Sequence, residues 1–322
     1  VDPWPLDRYI KEKTHIVIEA LGNNVNTYDT LEQDSFLIFE VCSDEESLIW
    51  TGDDRVHCFS LNQRIQRIQR YSFQRAFSEA YRINDGYNSF LKGLVIPQNQ
   101  EEELGLVSFQ QKYLVRDVPI PEFKRLLPRI EDHGTLYQKS MPNIIEEEHF
   151  LKISDEIHGY SRNETEFHIS EEAQKIGFLV KNDDIQEKNS LSNEFRTYEL
   201  PYDAPGFFQI RINALSACKI WVLFDEIFLN EQIDFLRMTS CNCCYYEMGI
   251  GESTLRNFVP FTMKFIRIAI QGQAYIEQMD FIEYIHPPVT YFPDIPVKDV
   301  DMNTIANAAR NTFLSNAVDI YM

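Results

Sequence analysis

Runs in which apolar and polar side chains alternate constrain this chain most, because a period of two is the mark of a strand with one buried and one wet face. In residues 208–213, the apolar Phe208 and Ile210 alternate with the polar Gln209 and Arg211. The pattern predicts a strand that is half buried against a core. Aromatic residues make up 13% of the chain, which also favours strands.

Other segments extend the strand pattern. Residues 71–83 alternate over more than ten positions, whereas residues 36–41 and 220–224 are apolar at consecutive positions, as in strands buried on both faces. The apolar run 261–270 changes parity, which predicts a β-bulge between Phe265 and Ile266. We further expect strands at 106–109, 113–115 and 275–285, a hairpin turn at 84–86 and an irregular run at 119–128.

The composition excludes several classes of protein. The 322 residues have an ordinary globular balance and are enough for about two domains. A formal net charge of −20 argues against nucleic acid and against an anionic membrane surface as partners. The longest apolar runs fall short of the roughly 18 residues that a spanning helix needs.

Local texture divides the chain into three parts. The acidic stretch 141–155 is the best candidate for a boundary, so we expect β-rich domains at 1–155 and 156–288. Residues 289–322 begin with a Pro-rich linker and then change to helical spacing. We expect a helix from about Met302 that is still running at Met322, as in an incomplete helical domain.

The usual chemical motifs are weak here. Residues 241–244 read Cys-x-Cys-Cys without the second pair of ligands that a structural zinc site needs, so we expect neither a metal nor a cofactor. The basic stripe 63–70 could meet a carboxylate ligand, but pairing with the chain's own carboxylates is favoured. With 50 acidic residues, no pair can be assigned to acid–base catalysis.

Several segments resemble the bacterial α-L-rhamnosidases. Residues 307–322 read NAARNTFLSNAVDIYM and resemble the helix that leads into the catalytic barrel of that family. Residues 206–212 (GFFQIRI) and 261–268 (FTMKFIRI) resemble two strands of its accessory β-sandwich. The resemblance is specific over the last thirty residues and weaker upstream, where it rests on residues 70–77 and on domain order.

The resemblance implies a mainly β fold. It consists of two antiparallel, jelly-roll-like β-sandwich domains, a Pro-rich linker and the first helix of a truncated (α/α)6 barrel. It also implies an inverting glycosidase that releases terminal α-L-rhamnose. Both catalytic carboxylates would lie beyond Met322, so no catalytic residue is assigned, and this chain alone should be inactive. The implied partners are a rhamnose-containing glycan and the chain's own downstream barrel, in a bacterial periplasm or outside the cell.

Exposed aromatic rings are the expected glycan contacts, because flat rings stack on the C–H faces of sugars. The candidates are Trp50 with Asp53 and Asp54, and Tyr245 with Tyr246. The competing interpretation, that these rings belong to the core, is favoured. Two other functions stay open: a stand-alone carbohydrate-binding β-sandwich without catalysis, and a structural β-protein of a surface assembly.

Overall fold

The computed structural model is mainly β, as the alternating runs predict. It describes residue 6 and residues 14–23, 25–27, 37–43, 46–83, 87, 119–139, 159–181, 190–287 and 300–317. The predicted strands at 106–109 and 113–115, the turn at 84–86 and the linker at 289–297 lie outside these ranges.

The elements whose bounds lie within the described ranges are strands with two α-helices and one short 3-10 turn. They are β1 (Glu40–Ser43), β2 (Glu46–Trp50), β3 (Glu79–Ile83), β4 (Glu122–Leu126), β5 (Arg129–Gln138), α1 (Ile169–Gln174), β6 (Ile176–Val180), β7 (Ser190–Ala214), β8 (Cys218–Asp225), the 3-10 turn (Arg237–Thr239), β9 (Cys243–Met248), β10 (Gly251–Arg256), β11 (Phe261–Ile285) and α2 (Val300–Asn316).

Two long strands, β7 and β11, organise the fold, because each has 25 residues and bends from one layer into the next. In the first layer, the first halves of the two strands pair, so that Phe265 faces Glu199 and Ile270 faces Glu194. In the second layer, their second halves pair, and Phe281 faces Phe208. In both layers, the residue numbers along β11 rise while those of their partners in β7 fall, as in antiparallel pairing.

Glycines lie where the long strands bend. A Cβ at Gly206 would collide with the backbone carbonyl of Ile282. Gly272 has a φ of +115°, and a Cβ there would lie 2.6 Å from the carbonyl oxygen of Ala217. Larger residues would strain both positions, so these glycines allow the two layers to share their strands.

The layers form a β-sandwich. The first, here called the covered sheet, has the order β3-β9-β8-β11-β7-β5-β6 through the first halves of the long strands. The second, here called the open sheet, consists of β10, the second halves of β7 and β11, and β4. One apolar core fills the space between them, where the Phe208 ring meets the Tyr246 ring edge to face at 6.4 Å.

Both faces of the covered sheet are buried. Its outer face packs a second apolar cluster against α1 and the loops around Ile65 and Ile233. Residues 220–224 of β8 are therefore buried at every position, as predicted. The open sheet has one wet face, and the predicted alternation in residues 208–212 is confirmed.

The change of parity in β11 is real. Phe261 and Met263 share the central core with Ile266, and the pairing with β7 shifts between Met263 and Phe265. The irregularity thus falls slightly before the position that the sequence pattern indicated, which was between Phe265 and Ile266.

Strands from both sides of the expected boundary near residue 155 belong to the same two sheets. β5 pairs with β7, and β4 pairs with β11. The boundary therefore does not separate the described strands, which form one sandwich, with β1 and β2 as a separate ribbon. The acidic stretch that indicated the boundary lies outside the described residues, and cross-strand pairing leaves no trace in local composition.

Three local predictions need correction. Residues 36–41 do not form a strand buried on both faces, because β1 begins only at Glu40 and Leu37 and Ile38 are 42% and 52% exposed. Residues 119–128 are not irregular throughout, because β4 pairs with the end of β11 from Leu126–Phe281 to Glu122–Ile285. The strand predicted over 71–83 is confined to β3. Upstream of it, the Arg70 guanidinium donates to the carbonyls of Ser72 and Arg75, so the chain curls around this side chain.

The helix predicted from about Met302 is present as α2, with described bounds of Val300–Asn316. It ends at Asn316, whereas the sequence pattern predicted that it would still be running at Met322, and residues 318–322 lie outside the described ranges. None of its side chains is buried, and Ile305 and Phe313 are 61% and 39% exposed. The backbone N–H of His286 donates to the carbonyl of Leu314, which ties the helix to the end of β11. In the described ranges, no helix is long and apolar enough to cross a membrane.

Candidate functional site

A pocket of about 350 Å³ opens beside the edge of the open sheet, and we call it the Arg256 pocket. It lies where β3, β7 and the end of β10 meet. Its described lining consists of Glu19, Tyr81, Tyr87, Phe207, Phe208, Gln209, Arg256, Asn257, Phe258 and Ile282.

The pocket forms because β10 ends before its neighbouring strand β7 does. β10 ends at Arg256, opposite Gln209, whereas β7 continues back towards Gly206. The side chain of Asn257 takes the place of the missing strand. Its amide oxygen accepts from the Phe208 N–H at 2.8 Å, and its amide nitrogen donates to the Gly206 carbonyl at 3.1 Å. These bonds satisfy the edge of β7 and leave open space beyond the end of β10.

A buried carboxylate holds the inner wall. Glu79 is fully buried and accepts from the backbone N–H groups of Phe258 and Val259 at 2.8 and 2.9 Å. It also accepts from the Tyr81 hydroxyl at 2.9 Å. Three donors on one carboxylate fix the turn after β10, so Glu79 has a positioning role.

Arg64 completes this wall. It donates to the Tyr81 hydroxyl at 3.0 Å, and its guanidinium lies over the rings of Tyr81 and Phe258 at 5.5 and 5.6 Å. Burial raises the pKa of Tyr81 well above its usual value, so the hydroxyl stays protonated and remains a donor to Glu79.

The outer rim carries one charge of each sign. The Arg256 guanidinium lies 3.8 Å from the Glu19 carboxylate, and the side chain of Gln209 is exposed beside them. Burial raises the pKa of the Glu19 carboxyl above its usual value of 4.5, and Arg256 opposes that shift. The described lining thus combines aromatic rings with a guanidinium, a carboxylate and an amide at its rim.

An aromatic surface continues from the pocket across the wet face of the open sheet. The Phe207 ring lies 6.4 Å from the Phe123 ring and 6.0 Å from the Tyr284 ring. Phe123 is 51% exposed. Cross-strand contacts between these rings stabilise a flat apolar surface that remains accessible to solvent.

Two of the residues predicted to contact glycan are core residues instead. Tyr246 is 1% exposed, stacks on Tyr81 at 5.3 Å and donates its hydroxyl to the Arg256 carbonyl. Tyr245 is 0% exposed and stacks on Phe167 at 4.3 Å on the other face of β9. Because β9 lies inside the covered sheet, both of its faces are buried, and neither ring can reach a sugar.

The other three candidates lie at the end of β2 and in the turn after it, and none of them lines the Arg256 pocket. Trp50 is 48% exposed, and Asp54 is exposed as well. The Arg55 side chain donates to Asp53 and lowers the pKa of that carboxyl to about 2. A glycan contact at these residues stays a prediction.

The sequence reasoning missed the pocket, although one signal was visible. Phe207 shares the solvent-exposed face of β7 with Gln209 and Arg211. A large aromatic ring on that face does not contribute to the core. The remaining lining residues, such as Glu19 and Arg256, are far apart in sequence, and only the fold brings them together.

Most of the basic stripe serves the fold. Arg64 and Arg70 are buried, and Arg67 pairs with Glu166 at 3.3 Å. Residues 241–244 contribute buried thiols outside any disulfide bond at Cys241, Cys243 and Cys244. No group of three potential metal ligands from His, Cys, Asp or Glu occurs in the part of the chain that the structure describes.

No family model matches the chain, and no curated protein matches it. Solved structures are similar to it, and three of them are rhamnosidases. The first is a GH78 family rhamnosidase of Bacillus sp. GL1, with 9% identity and a TM-score of 0.55, covering 82% of this chain. The second is a rhamnosidase from Klebsiella oxytoca with rhamnose bound, with 8% identity, a TM-score of 0.40 and 63% of this chain covered. The third is an α-L-rhamnosidase from Dictyoglumus thermophilum, with 14% identity, a TM-score of 0.31 and 38% of this chain covered.

This chain matches only part of each similar protein. The match spans 46% of the Bacillus enzyme, 37% of the Klebsiella enzyme and 14% of the Dictyoglumus enzyme. The resemblance to rhamnosidases that the sequence suggested is thus confirmed as a likeness of fold, and this chain has the fold of about half of a GH78 family rhamnosidase.

Proposed function

We propose that these residues form the accessory β-sandwich region of a glycoside hydrolase of the α-L-rhamnosidase type. The observation that carries the proposal is the shared fold with the Bacillus rhamnosidase over 82% of this chain. That match spans only 46% of the enzyme, which leaves the rest of it for other parts of a longer protein.

In this proposal, the longer protein releases terminal α-L-rhamnose by inversion. An acid and a base must then lie about 6.5–9.5 Å apart across the glycosidic bond. We place both carboxylates beyond Met322, in an (α/α)6 barrel of which α2 is the first helix. The partners are a rhamnose-containing glycan and that barrel, and the place of action is the periplasm or the exterior of a bacterial cell.

The surface of α2 supports a docking role for the helix. Its apolar side chains Val300, Ile305 and Phe313 are exposed in the described chain, and a barrel of helices would cover them. The one sandwich that the structure describes would buttress the barrel. A second sandwich, the linker and the barrel itself belong to the proposal.

A second candidate function is a carbohydrate-binding protein without catalysis. The Arg256 pocket favours it, because its described lining places aromatic rings beside a guanidinium, a carboxylate and an amide that can bond to sugar hydroxyls. The two candidates differ in whether a catalytic region follows.

The test compares two chains in an assay with an aryl α-L-rhamnoside. One chain is residues 1–322, and the other continues with the coding sequence after Met322. We expect turnover only by the longer chain, and its loss when either carboxylate of an acid–base pair in the added part is changed to its amide. Turnover by residues 1–322 alone would contradict the proposal, as would an inactive longer chain that is folded.

A further inference from the structure

We propose that the Arg256 pocket binds a single neutral pyranose residue, the terminal sugar of a glycan. The pocket lies at the edge of the open sheet, beyond the end of β10. The inference rests on and deepens the proposed carbohydrate-binding function, and its readout does not depend on turnover.

The volume of the pocket fits one sugar ring. Ligand pockets in proteins range from roughly 300 to 1,000 Å³. At about 350 Å³, this pocket lies at the low end of that range. A single ring with its hydroxyls fits such a space, whereas several linked rings would extend out of it over the neighbouring surface.

The apolar wall suits one face of a pyranose. A pyranose ring presents C–H groups on its faces, and these pack favourably against flat aromatic rings. Phe207 and Phe258 are both partly exposed and line the pocket, and Tyr81 closes its inner side. Aromatic rings supply a large apolar contact with few rotatable bonds, so little conformational entropy is lost on binding.

The rim suits the edge of the same ring. Sugar hydroxyls both donate and accept hydrogen bonds. The Arg256 guanidinium only donates, the Glu19 carboxylate only accepts, and the Gln209 amide does both. Neighbouring hydroxyls can therefore bridge Arg256 and Glu19, which are 3.8 Å apart.

The charges of the pocket select a neutral ligand. Arg256 and Glu19 cancel at the rim, and Arg64 and Glu79 cancel behind the wall. An anionic ligand would meet Glu19 and a chain with a net charge of −20, and a cationic ligand would meet Arg256. A neutral polyol meets neither penalty.

The wall is already in place before any ligand arrives. Asn257 bonds to the edge of β7, and Glu79 bonds to the turn that carries Phe258. Arg64 holds the Tyr81 hydroxyl in the same network. A preorganised wall lowers the entropy lost on binding, which matters for a ligand as small as one sugar.

The test is a binding titration of the full 322-residue chain. The neutral probes are the methyl glycosides of L-rhamnose, D-glucose, D-galactose and D-mannose, and the anionic probe is methyl β-D-glucuronide. Saturation-transfer NMR detects binding, and calorimetry gives the Kd. We expect at least one neutral probe to bind and the glucuronide not to bind.

Variants locate the binding. Arg256→Gln removes charged donors at the rim and should raise the Kd about tenfold. Phe207→Ala should do the same by removing the stacking surface, and Gln209→Ala, at an exposed position, should raise it about threefold. Arg211→Gln and Tyr275→Ala are the matched controls, since both side chains are exposed outside the pocket lining. Both controls should keep the Kd within twofold.

The proposal is overturned if no neutral probe binds, if the glucuronide binds in preference, or if Arg256→Gln and Gln209→Ala bind as tightly as the parent chain. Circular dichroism establishes that each variant is folded, and Gln209→Ala keeps the test decisive if Phe207→Ala does not fold. Because this readout needs no turnover, a failure here leaves the hydrolase proposal standing, and an inactive longer chain leaves this one standing.

Discussion

The first halves of β7 and β11 have different surroundings from the second halves of the same two strands. The first halves lie in the covered sheet, where α1 and the loops around it bury the second face. The second halves lie in the open sheet, whose outer face meets solvent and carries the Arg256 pocket. One pair of strands thus provides stability at one end and an accessible surface at the other.

Two ion pairs measure the difference. In the covered sheet, Arg267 pairs with Asp132 at 2.9 Å, and the arginine side chain is 0% exposed. In the open sheet, Arg125 pairs with Asp280 at 2.7 Å, and the arginine side chain is 54% exposed. The residue types and distances are nearly the same, so the surroundings determine what each pair contributes to stability.

Replacing Arg267 should have the largest effect. Its guanidinium lies over the rings of Phe195 and Phe178 at 4.4 and 4.8 Å and donates to Thr197 Oγ1 at 2.7 Å. Arg267→Ala leaves the half-buried Asp132 carboxylate without this partner and creates a cavity. We expect the free energy of unfolding to fall by about 3–5 kcal/mol, measured by urea denaturation.

A double variant separates charge from packing. Arg267→Met with Asp132→Asn removes both charges and keeps most of the volume, so it should cost less than Arg267→Ala alone. A loss below about 1 kcal/mol for Arg267→Ala would show that the covered sheet does not depend on this pair.

Asn257 links the two regions, and its replacement should have the second largest effect. Asn257→Ala leaves the Phe208 N–H and the Gly206 carbonyl without their side-chain partner at a buried position. We expect the free energy of unfolding to fall by about 2 kcal/mol. The control is Asn213→Ala, on the solvent-exposed face of β7, the strand that Asn257 contacts. It should change stability by less than about 0.5 kcal/mol. Equal losses for both variants would remove the special role of Asn257.

The sequence could predict the strands but not how they meet. Alternation identified residues 208–212 and consecutive apolar positions identified 220–224, because burial on one face or two determines residue type locally. The pairing of β4 and β5 with β11 and β7 depends on contacts that are distant in sequence, so a boundary was wrongly expected between them.

The candidate site shows the same limit. Tyr245 and Tyr246 were chosen as an aromatic pair next to a turn, but the central position of β9 buries both rings. Phe207 was visible as an aromatic on a wet parity, whereas Glu19 and Arg256 become neighbours only in the fold. A local pattern could therefore have pointed to Phe207, whereas no local pattern places Glu19 beside Arg256.

Replacing the exposed arginine should have a small effect. Arg125→Ala breaks the pair with Asp280 on the wet face of the open sheet. Solvent screens such pairs, so we expect a loss of about 0.2–1 kcal/mol in the free energy of unfolding, and a smaller loss in high salt. A loss as large as that of Arg267→Ala would contradict the distinction between the two sheets.

The smallest effect concerns pH at the rim of the pocket. Burial raises the pKa of Glu19 above 4.5, so the folded chain binds this proton more tightly than the unfolded chain. Stability attributable to Glu19 therefore falls as the pH rises from about 4.5 through the folded pKa, and the full penalty is present above it. Glu19→Gln should raise the Tm at pH 7.5 by an amount equivalent to less than about 1 kcal/mol, and should have little effect at pH 4.

Glu164→Gln should show the opposite sign, because hydrogen bonds from Ser161 lower the pKa of Glu164 and stabilise its ionised form at pH 7.5. If Glu19→Gln lowers the Tm at pH 7.5, the pair with Arg256 outweighs the cost of burial, and the rim is held together by charge.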